Sequence, residues 1–123
     1  MTLPLTSEML AAAYEYLRHT PPFSRWNLPE PEDIKFRTSR HPKSAGKYVW
    51  DPNDNSHYII ASVNGIGHTE SLMRFMAHEM IHLHLRITKW ESKSASEEVH
   101  NAAFRKFAAQ TCKWHGFDPK AFY

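Results

Sequence analysis

The chain has 123 residues, of which 41% are hydrophobic, enough for one modest core and too few for two, so we expect a single domain spanning 1–123. Its 15 basic and 13 acidic residues nearly balance, which gives only weak grounds for a nucleic-acid or membrane partner. The one cysteine, Cys112, excludes a disulfide framework and a zinc ribbon built from C-x-x-C pairs, and it favours a reducing, cytoplasmic setting. No apolar run approaches the roughly 18 residues that a membrane span requires.

The first predicted element is an amphipathic helix near the N-terminus. Thr6 or Ser7 can cap it, and it must end before Pro21-Pro22. The segment 21–31 is too rich in proline for regular structure, and we expect its aromatic side chains to pack onto the core. The apolar stripe of the helix contains Met9, Leu10, Ala13, Tyr14 and Leu17.

Three short β-prone segments follow, at 34–38, 47–50 and 57–62, separated by turn-rich stretches. We expect them to form a three-stranded antiparallel sheet. The third segment directly precedes the next helix, and it is a candidate edge strand for pairing with an extended peptide. An ordinary core strand is the alternative, because β-prone composition does not distinguish an edge from a centre.

The most informative motif is His78-Glu79-Met80-Ile81-His82, an H-E-x-x-H pattern inside a helical stretch. A spacing of four places the two imidazoles on one helical face, about 5–6 Å apart at Cβ, where both can reach one ion. Glu79 points about 100° further around the helix, beside that ion, where it can accept a proton from an activated water. The motif therefore predicts a zinc site with two histidine ligands and a general base.

A last helix is predicted from a capping box formed by Ser94 and Glu97 to about Trp114. Gly116 is expected to end this helix, and Pro119 prevents it from resuming. The apolar positions of the helix share one face, which is expected to pack onto the core.

A catalytic zinc site normally holds three protein ligands, so the H-E-x-x-H motif requires one more donor. We choose His100, which falls at the core-facing edge of the last predicted helix. Glu97 or Glu98 is the alternative, since carboxylates also serve in hydrolytic zinc sites. His84 is expected to face away from the ion, because it lies about 200° around the helix from the second motif histidine. The other candidates are His68 and His115.

The string Met76-Ala77-His78-Glu79-Met80-Ile81-His82, followed 18 residues later by His100-Asn101-Ala102-Ala103-Phe104, resembles the SprT-like family of zinc metallopeptidases. The chain resembles in particular the short phage and prophage members of that family. These proteins carry H-E-M-hydrophobic-H and then a helix that opens with H-x-x-x-F. Looser similarity at 16–18, 26–29 and 115–119 extends the resemblance, so that it spans most of the chain.

This resemblance implies an α+β fold: a minimal zincin-like domain with an N-terminal helix, a small sheet, an active-site helix and a C-terminal helix. It implies that His78, His82 and His100 hold zinc and that Glu79 is the general base. It also implies a protein or peptide substrate and action in the cytoplasm of a bacterial host. The chain departs from many relatives in having Asn101 after the third histidine and in lacking an appended zinc ribbon.

The segment Arg74-Phe75-Met76-Ala77-His78-Glu79 also resembles the R-F-x-x-A-H-E segment of ImmA/IrrE-type peptidases, which cleave phage and stress repressors. In that family an acidic residue near the start of the following helix often completes the site. Glu97 or Glu98 would then replace His100. The H-x-x-x-F match favours the SprT-like family.

We therefore interpret the chain as a zinc-dependent metalloendopeptidase. The alternative is a zinc-containing binding or regulatory module without turnover, and a third hypothesis is a zinc hydrolase that acts on a non-peptide bond. Basic residues in the strand region could meet phosphates, which leaves DNA-associated proteins open as substrates, or they could form an ordinary solvated face. These residues are Lys35, Arg37, Arg40, Lys43 and Lys47. Tyr58, His68 or His115 could stabilise an oxyanion.

Overall fold

The computed structural model describes residues 5–40, 45–64, 66, 69–88 and 100–123. Within these ranges the chain forms three α-helices, three strands and two short 3-10 turns, which confirms the α+β class. The helices and strands are α1 (Ser7–Arg18), β1 (Ile34–Ser39), β2 (Gly46–Asp51), β3 (Ser56–Ser62), α2 (Thr69–Thr88) and α3 (Ala102–His115). No described helix has the length and apolarity needed to cross a membrane.

Helix α1 begins where the sequence predicts, because the Thr6 side chain accepts a hydrogen bond from the backbone N–H of Met9 at 3.2 Å. The proline-rich connector after α1 is tied back to the helix by Tyr14, whose hydroxyl donates to the carbonyl oxygen of Pro29 at 2.6 Å. Phe23 of the connector is fully buried. The expectation that the connector's aromatic side chains pack onto the core is confirmed.

The sheet has the order β1-β3-β2 and is mixed, so the prediction of a fully antiparallel sheet was wrong. Strand β3 pairs antiparallel with β2, to which a short turn joins it, and parallel with β1. The alternation of apolar and polar residues is the same in both kinds of pairing, which is why the sequence did not reveal the parallel pair. Because β3 is central, the candidate edge strand is not an edge, and the alternative of an ordinary core strand is confirmed; β1 and β2 are the outer strands of the described sheet.

Gly46 allows β2 to approach both β3 and α2 closely. Its φ is +138°, and a Cβ at this position would overlap the carbonyl oxygen of Ile60 and lie 2.8 Å from the ring of Phe75. Only glycine adopts this backbone conformation readily and leaves this space free. Strand β2 is therefore held directly against α2.

Helix α2 packs against α1, α3 and β2 and forms the centre of the core. Helix α3 ends at Gly116, whose φ of +75° is the left-handed cap that the sequence predicts. Its described start differs from the prediction: the Asn101 side chain accepts from the backbone N–H of Phe104 at 2.9 Å, so Asn101 is the N-cap and the helix begins at Ala102. The predicted capping box, Ser94 and Glu97, lies outside the described residues.

Candidate metal centre

Helix α2 presents His78 and His82 on one face, one turn apart, and the third histidine approaches from the segment before α3. His100 directly precedes the N-cap, so it does not lie on the helix as expected, yet it still reaches the other two. One ligand atom from each imidazole can be chosen so that all three lie within 4.8 Å of one another. The ring centroids are 5.0 to 5.5 Å apart, a nearly equilateral triangle.

This donor set fits a metal ion. The Nε2 atom of His100 is buried and has no hydrogen-bond partner among the described residues. A buried polar atom is costly unless it is paired, and an ion shared with the other two imidazoles would satisfy it. Three imidazoles with a remaining open position make the donor set of one class of catalytic zinc site.

The surroundings of His78 and His100 favour the neutral form of each imidazole, which is the form that binds metal. Burial, followed by the neighbouring His82, lowers the pKa of His78 to about 3. Burial and the same neighbour also lower the pKa of His100 below its ordinary value. At neutral pH both imidazoles are therefore uncharged, and a neutral imidazole is the form that donates a lone pair to a metal.

Glu79 lies beside this cluster and is almost entirely buried, with 5% of its surface exposed. Its Oε1 is 3.9 Å from Nε2 of His78. The carboxylate is thus next to the triangle of imidazoles. A carboxylate in this place could accept a proton from a water molecule bound at the centre.

Phe104 forms an apolar floor beneath the three histidines. Its ring centroid is 4.9, 4.6 and 4.4 Å from those of His78, His82 and His100, and the residue is fully buried. Helical periodicity placed Phe104 in the core, but its contact with all three imidazoles was not predicted. The H-x-x-x-F spacing was the available signal. An apolar layer of this kind limits the access of water to the site.

The segment after α3 supplies a second contact that the sequence analysis missed. The Nδ1 of His78 donates to the carbonyl oxygen of Phe122 at 2.8 Å, because a carbonyl oxygen can only accept. The ring of Tyr123 lies 5.0 Å from that of His100. Nothing in the sequence signals these contacts, since 44 residues separate His78 from Phe122.

The other histidine candidates are engaged elsewhere or lie outside the described residues. His84 faces away from the triangle, as predicted, and stacks on Trp26 with ring centroids 4.3 Å apart. His115 contacts the proline-rich connector, with its Nε2 2.9 Å from the carbonyl oxygen of Pro21. His68, Glu97 and Glu98 lie outside the described residues, so the carboxylate alternative to His100 stays a prediction.

Tyr58, a further candidate for oxyanion stabilisation, lies on the outer face of the sheet. Its neighbours there are Lys35 and Asp54, with the hydroxyl 3.5 Å from the carboxylate of Asp54. The adjacent residue in β3, Ile59, is fully buried and points to the opposite face. Tyr58 is thus directed away from the helices.

A model of the SprT-like family matches residues 12–121. The chain belongs to the SprT-like family. The match spans Glu79 and the three histidines, and the family is of the zincin-like metallopeptidase type. A search of curated proteins found no match to the chain. The phage setting and the ImmA/IrrE resemblance stay predictions.

Proposed function

We propose that the protein is a zinc-dependent metalloendopeptidase that hydrolyses peptide bonds in protein substrates. The convergence of His78, His82 and His100, with ligand atoms within 4.8 Å of one another, is the observation that carries the proposal. Imidazole suits several divalent metals, and zinc is the one that three-histidine hydrolytic sites hold with a fourth position open. A zinc ion bound there would supply Lewis-acid activation of a water molecule and of the scissile carbonyl.

Glu79 would carry the protons in this reaction. Its carboxylate takes one proton from the attacking water, the water oxygen bonds to the carbonyl carbon, the C–N bond breaks, and the proton passes to the leaving amine. The buried position of Glu79 beside His78 supports this role. A purely structural zinc site needs no base, so this carboxylate favours turnover over a binding module.

Strand β2 is the surface on which we expect an extended peptide to pair. It is an outer strand, and it runs along α2: the ring of Phe75 lies against Gly46, and the guanidinium of Arg86 lies 5.1 Å from the ring of Trp50. The two ligand histidines of α2 lie between these contacts in the sequence. A peptide added to β2 would therefore pass beside the metal centre.

The test of this function compares the wild type with Glu79→Gln and with Glu70→Gln. Glu70 is a matched control, because it is an exposed carboxylate on the same helix, paired with Arg74 rather than placed at the site. We would measure zinc content and the cleavage of an unfolded protein, reduced casein. We expect zinc in all three proteins and cleavage by the wild type and Glu70→Gln alone.

The outcomes separate the competing functions. Zinc in all three proteins, with no cleavage of casein or of a mixed peptide library, would favour the binding or regulatory module. Cleavage that survives in Glu79→Gln would contradict the role of Glu79. A wild type that takes up no metal would refute the metallopeptidase proposal.

We also propose that DNA-associated proteins are among the substrates. Lys35, Arg37 and Lys47 share the outer face of the sheet with Tyr58, and the first two side chains lie 5.3 and 5.9 Å from the centre of its ring. Basic residues around an aromatic ring suit a single-stranded nucleic acid. We expect a single-stranded oligonucleotide to accelerate casein cleavage at low salt, and less so after Arg37→Ala with Lys47→Ala. No acceleration of the wild type would contradict this extension.

A further inference from the structure

The segment 117–123, which we call the tail, folds back from the end of α3 onto the metal centre. A turn shapes it, in which the backbone N–H of Ala121 donates to the carbonyl oxygen of Asp118 at 3.1 Å. The ring of Phe117 lies 6.0 Å from that of Phe122. Phe122 is anchored in the core, with 2% of its surface exposed. The buried side chain of Phe122 therefore holds the far end of the tail against the core.

That anchor places a backbone carbonyl against one of the three histidines. The carbonyl oxygen of Phe122 accepts from Nδ1 of His78 at 2.8 Å, and the ring of Phe122 lies 5.5 Å from the imidazole. With the proton held on Nδ1, the lone pair of the neutral imidazole is on Nε2. Nε2 is also the atom near the carboxylate of Glu79, so it faces the centre of the site.

The last residue of the tail covers another side of the same centre. The ring of Tyr123 lies 5.0 Å from that of His100 and 5.7 Å from that of Phe104. Half of Tyr123 remains exposed, at 52%. The tail thus contacts two of the three histidines, one through a hydrogen bond and one through a ring.

We infer that Phe122 is a positioning residue of the metal centre: its carbonyl fixes the tautomer and orientation of His78, so that Nε2 is presented to the ion. Metal-ligating histidines generally donate their second N–H to a carbonyl or carboxylate, and loss of that partner typically costs about 10–100-fold in metal affinity. The inference rests on one part of the proposed function, which is that a metal ion binds at the site. It does not depend on peptide hydrolysis.

The first measurement reads the tautomer without metal. The protein is labelled with ¹⁵N, and its metal is removed with a chelator. The two-bond nitrogen–proton correlations of the imidazoles then distinguish a proton on Nδ1 from one on Nε2. We expect His78 in the wild type to carry its proton on Nδ1. A proton on Nε2 would overturn the inference, whether or not the protein binds zinc or cleaves a substrate. Failure of the proposed function is thereby distinguished from failure of this inference.

The second measurement is zinc affinity, by competition with a chromophoric chelator. Phe122→Ala removes the anchor and should weaken zinc binding about 10–100-fold. Phe122→Leu retains an apolar anchor and should restore affinity to within about threefold of the wild type. Phe107→Ala is the control, because it removes a buried ring that packs on Trp26 and His84. Equal affinities of Phe122→Ala and Phe107→Ala would overturn the inference.

A semisynthetic chain tests the carbonyl itself, and it decides the matter if Phe122→Ala does not fold. Replacing the amide between Phe122 and Tyr123 by an ester keeps both side chains and makes the carbonyl oxygen a poorer acceptor. We expect weaker zinc binding than in the amide chain assembled in the same way, and a changed d–d spectrum of the cobalt-substituted protein. Unchanged affinity and spectrum would overturn the inference.

Discussion

Replacing Phe104 by leucine should weaken zinc binding, and the accompanying loss of stability should not by itself account for the weaker binding. Truncation of a buried phenylalanine to alanine costs about 3–5 kcal/mol, a large part of the roughly 5–15 kcal/mol that stabilises a domain, so alanine would confuse unfolding with loss of metal. Leucine retains most of the volume, and we expect a loss of about 1–2 kcal/mol in the free energy of unfolding. In the wild type the Phe104 ring lies 4.4 to 4.9 Å from the centroids of the three imidazoles, and a leucine side chain cannot reproduce all of these ring contacts. We expect zinc affinity to fall about tenfold, or about 1.4 kcal/mol.

The control is Phe107→Leu on the same helix, because the Phe107 ring packs on Trp26 and His84, outside the metal centre. Urea denaturation of protein whose metal has been removed gives the free energy of unfolding, and competition with a chromophoric chelator gives the zinc affinity. Both variants should lose similar stability, while Phe104→Leu alone loses affinity. An equal loss of affinity in the two variants would refute the idea that Phe104 is the floor of the site.

Three further predictions concern stability. Burial lowers the pKa of His78 to about 3, so the unfolded chain binds a proton there from about pH 6.5 downward while the folded chain does not. The metal-free protein should therefore lose stability as the pH falls from about 6.5 toward 3, and urea denaturation of His78→Gln should show a shallower dependence on pH. Gly46→Ala should lower the melting temperature much more than Gly116→Ala, because both positions have positive φ but only Gly46 lacks space for a Cβ; equal shifts would contradict this. Asn101→Ala should cost about 1 kcal/mol in thermal or urea denaturation, through loss of the α3 cap, and no change would contradict the cap.

Much of the fold could be predicted because its signals are local. The cap at Thr6, the end of α3 at Gly116 and the approximate bounds of the three strands each depend on a few adjacent residues. The strand order could not be predicted in this way. The parallel pairing of β1 with β3 depends on how the chain crosses between distant segments, and the alternation within a strand is the same for either direction.

The same distinction between local signals and contacts of distant segments applies to the residues of the metal centre. The spacing of His78 and His82 within one helix requires only helical geometry, so it was predictable from five residues. His100 was selected by its position near an apolar helical face and by resemblance, and it reaches the site although α3 begins two residues later. The carbonyl of Phe122 carries no side-chain signature, so only the folded chain reveals its contact with His78.

The most direct test of the three-histidine centre is the zinc content of protein purified without added metal. The wild type should be compared with His100→Ala and with His19→Ala, which removes an imidazole whose side chain is 70% exposed. We expect about one zinc per chain in the wild type and in His19→Ala, and a large loss in His100→Ala. No zinc in the wild type, even after zinc is added, or full zinc content in His100→Ala, would contradict the account.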